Sequence, residues 1–271
     1  MIDTAYTRSR YAPSELEHHY GPNVHLLDDP LAWSLLTRAC SPSTTQPEFG
    51  RLIRILYEGL ARVVLAAELP RERVDAPTRM FSAHPEAVYR GLAIARRTKV
   101  VTVAIARAGT NPSQVLFELL NEVLDPAYVR QDHLFMSRKL NEAGQVIGTE
   151  WHDAKIGRDI DGCTLMFPDP MGATGSSLVS AVNHYADAIE GTAAKYIAMH
   201  LMVTPEYLRR VGSERPDVVV YAMRLDRALS SERALRSTPG EHPAEERGLN
   251  DQQYIVPGAG GVGELLNNAW V

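Results

Sequence analysis

The chain has 271 residues, of which 45% are hydrophobic and 23% charged, so it holds enough apolar material for a sizeable core. Its 28 Lys and Arg residues against 33 Asp and Glu residues give a formal net charge of −5, which disfavours a general nucleic-acid binder. No apolar run approaches the roughly 20 residues of a membrane-spanning helix, the N-terminus is too polar for a secretory signal, and two cysteines are too few for a disulfide framework. We therefore expect a cytoplasmic protein with no membrane or nucleic-acid partner.

The N-terminal third is predicted to be mainly helical. Residues 1–27 mix charge, Tyr and Pro without periodicity and are expected to form an arm or tail. Residues 28–40 begin with Asp before Pro, which is a helix-start signal. Between Phe49 and Val64 apolar residues recur at steps of three and four, which predicts one buried helix face. Another helix is predicted over 86–97, and the charged run Arg71–Arg73 is expected at a helix end.

From residue 100 onward the pattern changes to short apolar runs that alternate with amphipathic helical stretches. The runs cover 100–106, 163–167, 196–203 and 217–223. Continuous apolar runs of this length are typical of parallel strands covered on both faces. We predict an α/β domain over 28–271, with a mostly parallel sheet, helices on both faces, and ligands at the carboxyl ends of the strands. Residues 227–250 are rich in charge, Pro and Gly and are expected to form a surface excursion.

The segment 169–177, Asp-Pro-Met-Gly-Ala-Thr-Gly-Ser-Ser, joins a predicted buried strand to a predicted helix. Its glycines let the backbone approach an anion closely, and its hydroxyls and the helix N-terminus supply donors. These residues are Gly172, Gly175, Thr174, Ser176 and Ser177. No Lys follows as in a Walker A loop, and G-x-G-x-x-G is absent, so the segment predicts a cradle for one phosphate monoester. Asp169 is placed to accept hydrogen bonds from vicinal ribose hydroxyls, and the alternative is a capped strand-to-helix turn.

This segment resembles the motif D-P-M-L-A-T-G-G of the uracil phosphoribosyltransferases, with Gly172 and Ser176 as substitutions. The family has the type I phosphoribosyltransferase fold and binds phosphoribosyl pyrophosphate (PRPP). The resemblance runs from Val24 to Asn268 in the family's order. It implies that PRPP is bound by the whole segment: Asp169, Pro170, Met171, Gly172, Ala173, Thr174, Gly175, Ser176 and Ser177.

Two further segments resemble the family's pyrophosphate side. A-I-A-R-A-G-T, at 104–110, is similar to P-I-L-R-A-G-L, in which the Arg grips the pyrophosphate. The resemblance gives that role to Arg107, together with Ala108 and Gly109. Residues 135–156 are similar to the mobile hairpin that begins Y-R and closes over PRPP. This similarity implies a lid and places Arg138 on the pyrophosphate side.

The base pocket is implied by the C-terminal segment. Y-I-V-P-G-A-G-G-V-G-E, at 254–264, resembles Y-I-V-P-G-L-G-D-A-G-D, and L-M-V-T-P-E-Y, at 201–207, resembles L-V-A-A-P-E-G. In the family, backbone groups at the positions of Ile255 and Gly260 read uracil. An extended segment that ends in a Pro-Gly turn holds its backbone N–H and C=O groups in constant directions. A site that pairs every polar group of uracil would reject cytosine, because cytosine would leave buried polar groups unpaired. The implied base-binding residues are Tyr254, Ile255, Val256, Pro257, Gly258, Ala259, Gly260 and Gly261.

Four departures from the family pattern concern the site. Gly261 replaces an Asp, so a carboxylate on the ribose or PRPP side is missing from its usual place, and Glu264 replaces the second Asp. The hairpin's Y-R is Ser137-Arg138. The excursion at 227–250 directly precedes the base segment. These changes leave the accepted base and the rate open.

The resemblance implies transfer of the 5-phosphoribosyl group from PRPP to N1 of uracil, with Asp169, Arg107 and Arg138 as catalytic residues. Mg²⁺ is expected to arrive with PRPP, with no direct protein ligand. The alternatives are another uracil-like heterocycle as acceptor, or a non-catalytic PRPP or nucleotide sensor. The resemblance also suggests a homodimer or larger homo-oligomer and a GTP effector. His200 falls in a predicted strand, where a hydrogen-bonded core histidine or a surface histidine is expected rather than a metal ligand.

Overall fold

The computed structural model describes residues 4–8, 10–140 and 146–270, and its regular elements begin with a short 3-10 turn at Ala5–Thr7. The strands are β1 (Val24–Leu26), β2 (Arg71–Pro77), β3 (Val88–Ile94), β4 (Val100–Ala106), β5 (Val129–Leu140), β6 (Val146–Lys155), β7 (Thr164–Pro168), β8 (Met171–Gly172), β9 (Lys195–Val203) and β10 (Val218–Leu225). The helices are α1 (Pro30–Ala39), α2 (Glu48–Glu68), α3 (Thr110–Val123), α4 (Ser176–Ala188), α5 (Pro205–Glu214), α6 (Glu232–Leu235) and α7 (Val262–Asn267).

The central sheet has the strand order β1-β10-β9-β7-β4-β5-β6, with β8 paired to the end of β9. Its strands pair in parallel, except that β5 and β6 form an antiparallel hairpin. The predicted mostly parallel sheet is therefore confirmed. Because β4, β7 and β9 are neighbours, the loops that follow them meet at one edge of the sheet.

Both faces of the sheet are covered by apolar layers, as the prediction requires. Helices α1, α2, α3 and α7 pack on one face, and α4 and α5 pack on the other. In β10, Val219 and Tyr221 face the first layer, whereas Val218 and Val220 face the second. Successive side chains of a strand point to opposite faces, so a strand buried on both sides reads as an unbroken apolar run.

The two predicted N-terminal helices are confirmed as α1 and α2. The Asp29 carboxylate caps α1 by accepting hydrogen bonds from the N–H groups of Leu31 and Ala32. Along α2 the buried residues recur at the predicted three- and four-residue steps, from Phe49 to Leu65. The capped start and the apolar face are local signals, which is why the sequence reveals both helices.

The predicted helix over 86–97 is wrong, since these residues contain β3. This strand pairs with β2 in a separate antiparallel sheet, and Arg71–Arg73 belongs to β2 rather than to a helix end. The segment V-Y-R-G-L-A-I combines β-favouring residues with a glycine that weakens a helix. Its pairing with β2 runs from Pro77 and Val88 to Arg71 and Ile94, so the partner residues lie outside the segment 86–97 and a local reading of that segment cannot see them.

Two segments outside the predicted strands pack closely on the domain. The arm predicted over 1–27 contains β1, whose Val24–Leu26 pairs in parallel with β10. The excursion at 227–250 carries a buried ion pair, in which Arg227 Nη1 lies 2.6 Å from Glu246 Oε1. Glu246 also accepts a hydrogen bond from the Tyr20 hydroxyl, so the excursion holds the N-terminal segment. Among the described helices, none is long and apolar enough to cross a membrane.

Candidate active site

A cavity of about 620 Å³ lies at the edge of the sheet where β4 and β7 end. Segments that are far apart in the chain meet in it, and they include most of the residues singled out from the sequence. The lining residues fall in 105–108, 136–137, 148, 167–178, 200–207 and 252–264. The fold thus brings four segments together around one space. They are the phosphate loop (169–177), the Arg107 turn (104–110), the hairpin of β5 and β6, and the C-terminal segment (254–264).

The phosphate loop connects β7 to α4. Gly175 is the N-cap of α4 with φ of +79°, a left-handed conformation that favours glycine. The hydroxyl oxygens of Thr174 and Ser176 lie 3.1 Å apart and both residues line the cavity. Since the first N–H groups of a helix have no partner within it, the loop and helix start form a cradle for an anion.

Asp169 follows β7 and is held in place through its backbone and its side chain. Its Oδ1 accepts a hydrogen bond from the Met171 N–H over 3.0 Å. Its carbonyl oxygen accepts one from His200 Nδ1 over 2.6 Å, and the other ring nitrogen, Nε2, lies 2.5 Å from the Tyr207 hydroxyl. The carbonyl can only accept, so Nδ1 carries the proton and Nε2 accepts from Tyr207. Burial lowers the pKa of His200 to about 4, so this histidine is neutral, and of the two expected positions, core or surface, it takes the core.

The substitution at Gly172 is matched by a second one on α5. A Cβ on Gly172 would lie 2.8 Å from Val203 Cγ1 and 3.1 Å from Tyr207 Cδ2. Tyr207 stands where the family motif has Gly, and Gly172 stands where it has Leu. The tyrosine ring therefore occupies the space of the missing side chain and lets its hydroxyl reach His200. Sequence reasoning missed Tyr207, although both departures were visible in the quoted motifs.

The Arg107 turn contacts the C-terminal helix. Arg107 Nη1 donates to the carbonyl oxygen of Ala269 over 3.0 Å, and its Nη2 lies 3.5 Å from Glu264 Oε1. A Cβ on Gly261 would collide with Glu264 Oε2. The Glu264 carboxylate therefore fills the space beside residue 261 and lines the cavity.

Gly109 accounts for the sharp turn after β4. Its Cβ would lie 2.8 Å from the carbonyl oxygen of Ile105 and 3.1 Å from that of Pro168. Only a residue without a side chain allows this approach of two strand ends. Gly109 thus shapes the turn, while Arg107 and Ala108 line the cavity.

The C-terminal segment contributes to the cavity at Tyr254, Gly260 and Gly261. The intervening residues 255–259 are not among the lining residues described, and Ile255 is buried in the core. Asp226 anchors this turn, because its Oδ2 accepts a hydrogen bond from the Gly258 N–H over 2.8 Å.

Arg224 completes that anchor. Its Nη2 donates to Asp226 Oδ2 over 2.7 Å and to the Gly258 carbonyl oxygen over 3.3 Å. Sequence reasoning missed Arg224, Asp226 and the lining residue Gln252. An acidic residue directly after a buried strand was the available signal for Asp226.

The remaining predicted site residues have these positions. Met171, Ala173, Thr174, Gly175, Ser176 and Ser177 line the cavity with Asp169, whereas Pro170 and Gly172 are buried beside it. Ser137 lines it from the hairpin. The side chain of Arg138 lies outside the described part of the structure, as do residues 141–145 of the hairpin.

The lining residues also bear on metal binding. Within residues 4–8, 10–140 and 146–270, no group of three or more His, Cys, Asp and Glu side chains could hold a metal ion. Asp169 and Glu264 are carboxylates that line the cavity. Mg²⁺ usually binds through one or two carboxylates plus substrate phosphates and water, so these residues fit a Mg²⁺ carried by a pyrophosphate substrate.

A phosphate cradle, an acidic residue at the adjoining strand end and an arginine turn define a class of protein, the PRPP-dependent enzymes that transfer a phosphoribosyl group to a base. Comparison with known proteins gives the particular family. The family model "Uracil phosphoribosyltransferase" matches residues 26–241, and the chain belongs to that family.

Two relatives show the extent of the similarity. The chain is 28% identical over 244 residues to the uracil phosphoribosyltransferases of Geobacillus kaustophilus and Bacillus caldolyticus, which covers 90% of this chain and 97% of each relative. Among solved structures, the AQ2163 protein from Aquifex aeolicus superposes with a TM-score of 0.69 at 19% identity, covering 92% of this chain and 99% of that one. The first comparison supports a pentosyltransferase, and the second supports the fold.

Proposed function

We propose that the protein transfers the 5-phosphoribosyl group from PRPP to N1 of uracil and releases UMP and pyrophosphate. The observation that carries the proposal is the single cavity shared by the phosphate loop, Arg107 and the segment ending at Glu264. In this assignment the 5′-phosphate lies in the cradle of 173–177, and the Asp169 carboxylate accepts hydrogen bonds from the ribose hydroxyls. The relatives named uracil phosphoribosyltransferase support uracil as the acceptor.

The chemistry proposed needs no covalent nucleophile, because the transition state resembles a ribosyl oxocarbenium ion. The bond from C1 of the ribose to the pyrophosphate oxygen breaks, and a bond from C1 to N1 of uracil forms. The proton on N1 of uracil is released to the departing pyrophosphate or to water. Arg107 stabilises the negative charge of the departing pyrophosphate, which requires it to leave Glu264 and the Ala269 carbonyl. Catalysis then rests mainly on positioning and on charge stabilisation.

Two further groups complete the proposal. Mg²⁺ bound with PRPP would neutralise the pyrophosphate, with Asp169 and Glu264 as the carboxylates near it. The hairpin of β5 and β6, with Arg138, would close over PRPP and exclude water, since hydrolysis is the competing reaction. A homo-oligomer, a GTP effector and a cytoplasmic location are also part of the proposal.

The proposal is tested by incubating the purified protein with PRPP, Mg²⁺ and uracil, with and without GTP, and following UMP by chromatography. We expect UMP to form, and to disappear when EDTA removes Mg²⁺. An Asp169→Asn variant is the matched control, because it keeps the side-chain shape and removes the carboxylate charge. We expect it to lose about 10- to 100-fold in turnover, as for the loss of one charge-assisted contact.

A panel of bases separates the remaining possibilities. Cytosine should be rejected, because a site that pairs every polar group of uracil leaves donors or acceptors unpaired with cytosine. Nucleotide formation with another uracil-like heterocycle, and none with uracil, would contradict uracil specificity while keeping phosphoribosyl transfer. Protection against heat by PRPP without turnover on any base would favour a sensor.

A further inference from the structure

A positive charge lies directly behind the phosphate loop. Arg210, on α5, donates from Nη1 to Ser176 Oγ over 2.6 Å. A Cβ on Gly175 would lie 3.5 Å from Arg210 Cδ, so the aliphatic part of the arginine packs against the loop. Ser176 is 8% exposed; it lines the cavity on one side and shares a shallower depression with Arg210 on the other.

We infer that Ser176 and Arg210 act as a pair that adds a side-chain donor for the 5′-phosphate of PRPP. This inference rests on the proposed function. Ser176 is the binding residue, because its hydroxyl lies in the cradle. Arg210 is a positioning residue that acts through Ser176.

The direction of the hydrogen bonds explains how the pair works. A guanidinium can only donate, so Ser176 Oγ accepts from Arg210 and keeps its own hydrogen free to donate. Within 3.1 Å that hydrogen can reach Thr174 Oγ1, and in the bound state it can turn to a phosphate oxygen. A charged donor on the oxygen polarises the hydroxyl and strengthens the bond it makes to an anion.

The contact with Ser176 is separate from the surface ion pair that Arg210 also makes. Arg210 Nε donates to Glu214 Oε1 over 2.8 Å, one turn along the same helix. Such pairs stabilise a helix only weakly and do not require a loop partner. Ser176 stands where the family motif has Gly, which offers no side-chain acceptor. The pair is therefore a feature of this chain rather than of the motif.

Ribose 5-phosphate and inorganic pyrophosphate are probes that separate the two ends of the site. In calorimetric titrations of the full chain, we expect Arg210→Gln to bind ribose 5-phosphate about five- to tenfold more weakly and pyrophosphate unchanged. Arg210→Lys should recover part of the loss. Ser176→Gly should lower the affinity for ribose 5-phosphate as much as Arg210→Gln does. The double variant should bind no more weakly than Ser176→Gly, because both substitutions remove the same hydroxyl donor. In turnover, the KM for PRPP should rise while kcat stays within about twofold.

The control is Arg209→Gln, on the same helix, whose guanidinium donates to the carbonyl oxygens of Pro243 and Glu246 instead. It should bind ribose 5-phosphate like the wild type. Three results would each contradict the proposal that Arg210 acts through Ser176. They are wild-type affinity in Arg210→Gln, additive losses in the double variant, and an equal loss of pyrophosphate affinity. If Arg210→Gln does not fold, Arg210→Lys and Ser176→Gly still decide the question.

The two proposals fail in different ways. A wild-type protein that neither binds ribose 5-phosphate nor forms a nucleotide overturns the proposed function and the pair together. A wild-type protein that forms UMP, with an Arg210→Gln variant indistinguishable from it, overturns the pair alone.

Discussion

Among single residues, His200 links the core to the site. It is 2% exposed, its Nδ1–H donates to the carbonyl oxygen of Asp169, and its pKa is lowered to about 4 by burial. The ring is therefore a neutral connector between Tyr207 and the residue proposed to hold the ribose. Protonation would remove the acceptor that the Tyr207 hydroxyl uses.

The pKa of His200 makes stability depend on pH. An unfolded histidine has a pKa of about 6.5, so between about pH 6.5 and 4 the unfolded chain binds a proton that the native chain does not. The free energy of unfolding should fall as the pH is lowered through this window, by about 3 kcal/mol from this group. Urea unfolding at several pH values measures it. A His200→Gln variant should show a flatter dependence, and equal slopes in both proteins would contradict the assignment.

We expect the Glu264 carboxylate to serve, on the ribose or PRPP side of the site, the role that an Asp at position 261 would have. Glu264→Ala should lower kcat/KM for PRPP by about 10- to 100-fold, since it removes one of the two carboxylates proposed to lie near the Mg²⁺ that PRPP carries. Gly261→Asp added to Glu264→Ala should restore activity, because the carboxylate returns to the same space from the neighbouring turn. Steady-state kinetics check this, with Glu264→Gln as a control that keeps the length. No recovery in the double variant would mean that Glu264 acts only as part of helix α7.

At the scale of elements, β8 and α5 contact each other where one residue is smaller and its neighbour larger than in the family motifs. Gly172 replaces a leucine on β8, and Tyr207 replaces a glycine on α5. Gly172→Leu should destabilise by about 1–3 kcal/mol through overpacking against Tyr207, and Tyr207→Gly by about 3–5 kcal/mol through the cavity it leaves. The double variant should lose at least about 1 kcal/mol less than the sum, because the new leucine fills that cavity. Urea unfolding of the four proteins gives the coupling. Strict additivity would show that the two positions do not share the space.

At the scale of the whole molecule, the hairpin of β2 and β3 forms a two-stranded sheet of its own. Strand β2 is largely exposed, β3 is mostly half-buried, and the connection carries Met80 at 56% and Phe81 at 45% exposure. Exposed apolar side chains grouped on one hairpin are typical of a contact with another protein, and the proposed homo-oligomer would supply it as a second copy.

We therefore expect Met80→Glu with Phe81→Glu to convert the proposed homo-oligomer to a smaller species while the fold is kept. Light scattering coupled to gel filtration measures the mass, and circular dichroism checks the fold. Leu31→Glu, on the exposed side of α1, is the control and should leave the mass unchanged. A wild-type protein that is monomeric at micromolar concentration would contradict the expected oligomer.

Much of the architecture and of the site follows from local patterns. The four apolar runs became β4, β7, β9 and β10, since burial on both faces leaves a signature within each run. The phosphate loop and Arg107 could be placed at one site because the carboxyl ends of parallel strands meet there, whereas Tyr254 was placed there by the family resemblance. The error at 86–97 arose because the deciding partner, β2, lies outside that segment, across the connection 78–87.

The tertiary structure decided which substitutions compensate one another. Tyr207 fills the space beside Gly172, Glu264 fills the space beside Gly261, and Arg210 binds Ser176. Two of these pairs join the phosphate loop to α5, more than 30 residues away, and depend on how α5 packs against the sheet. Composition, periodicity and motifs describe the order of residues along the chain, whereas close packing of side chains determines which of them share a space.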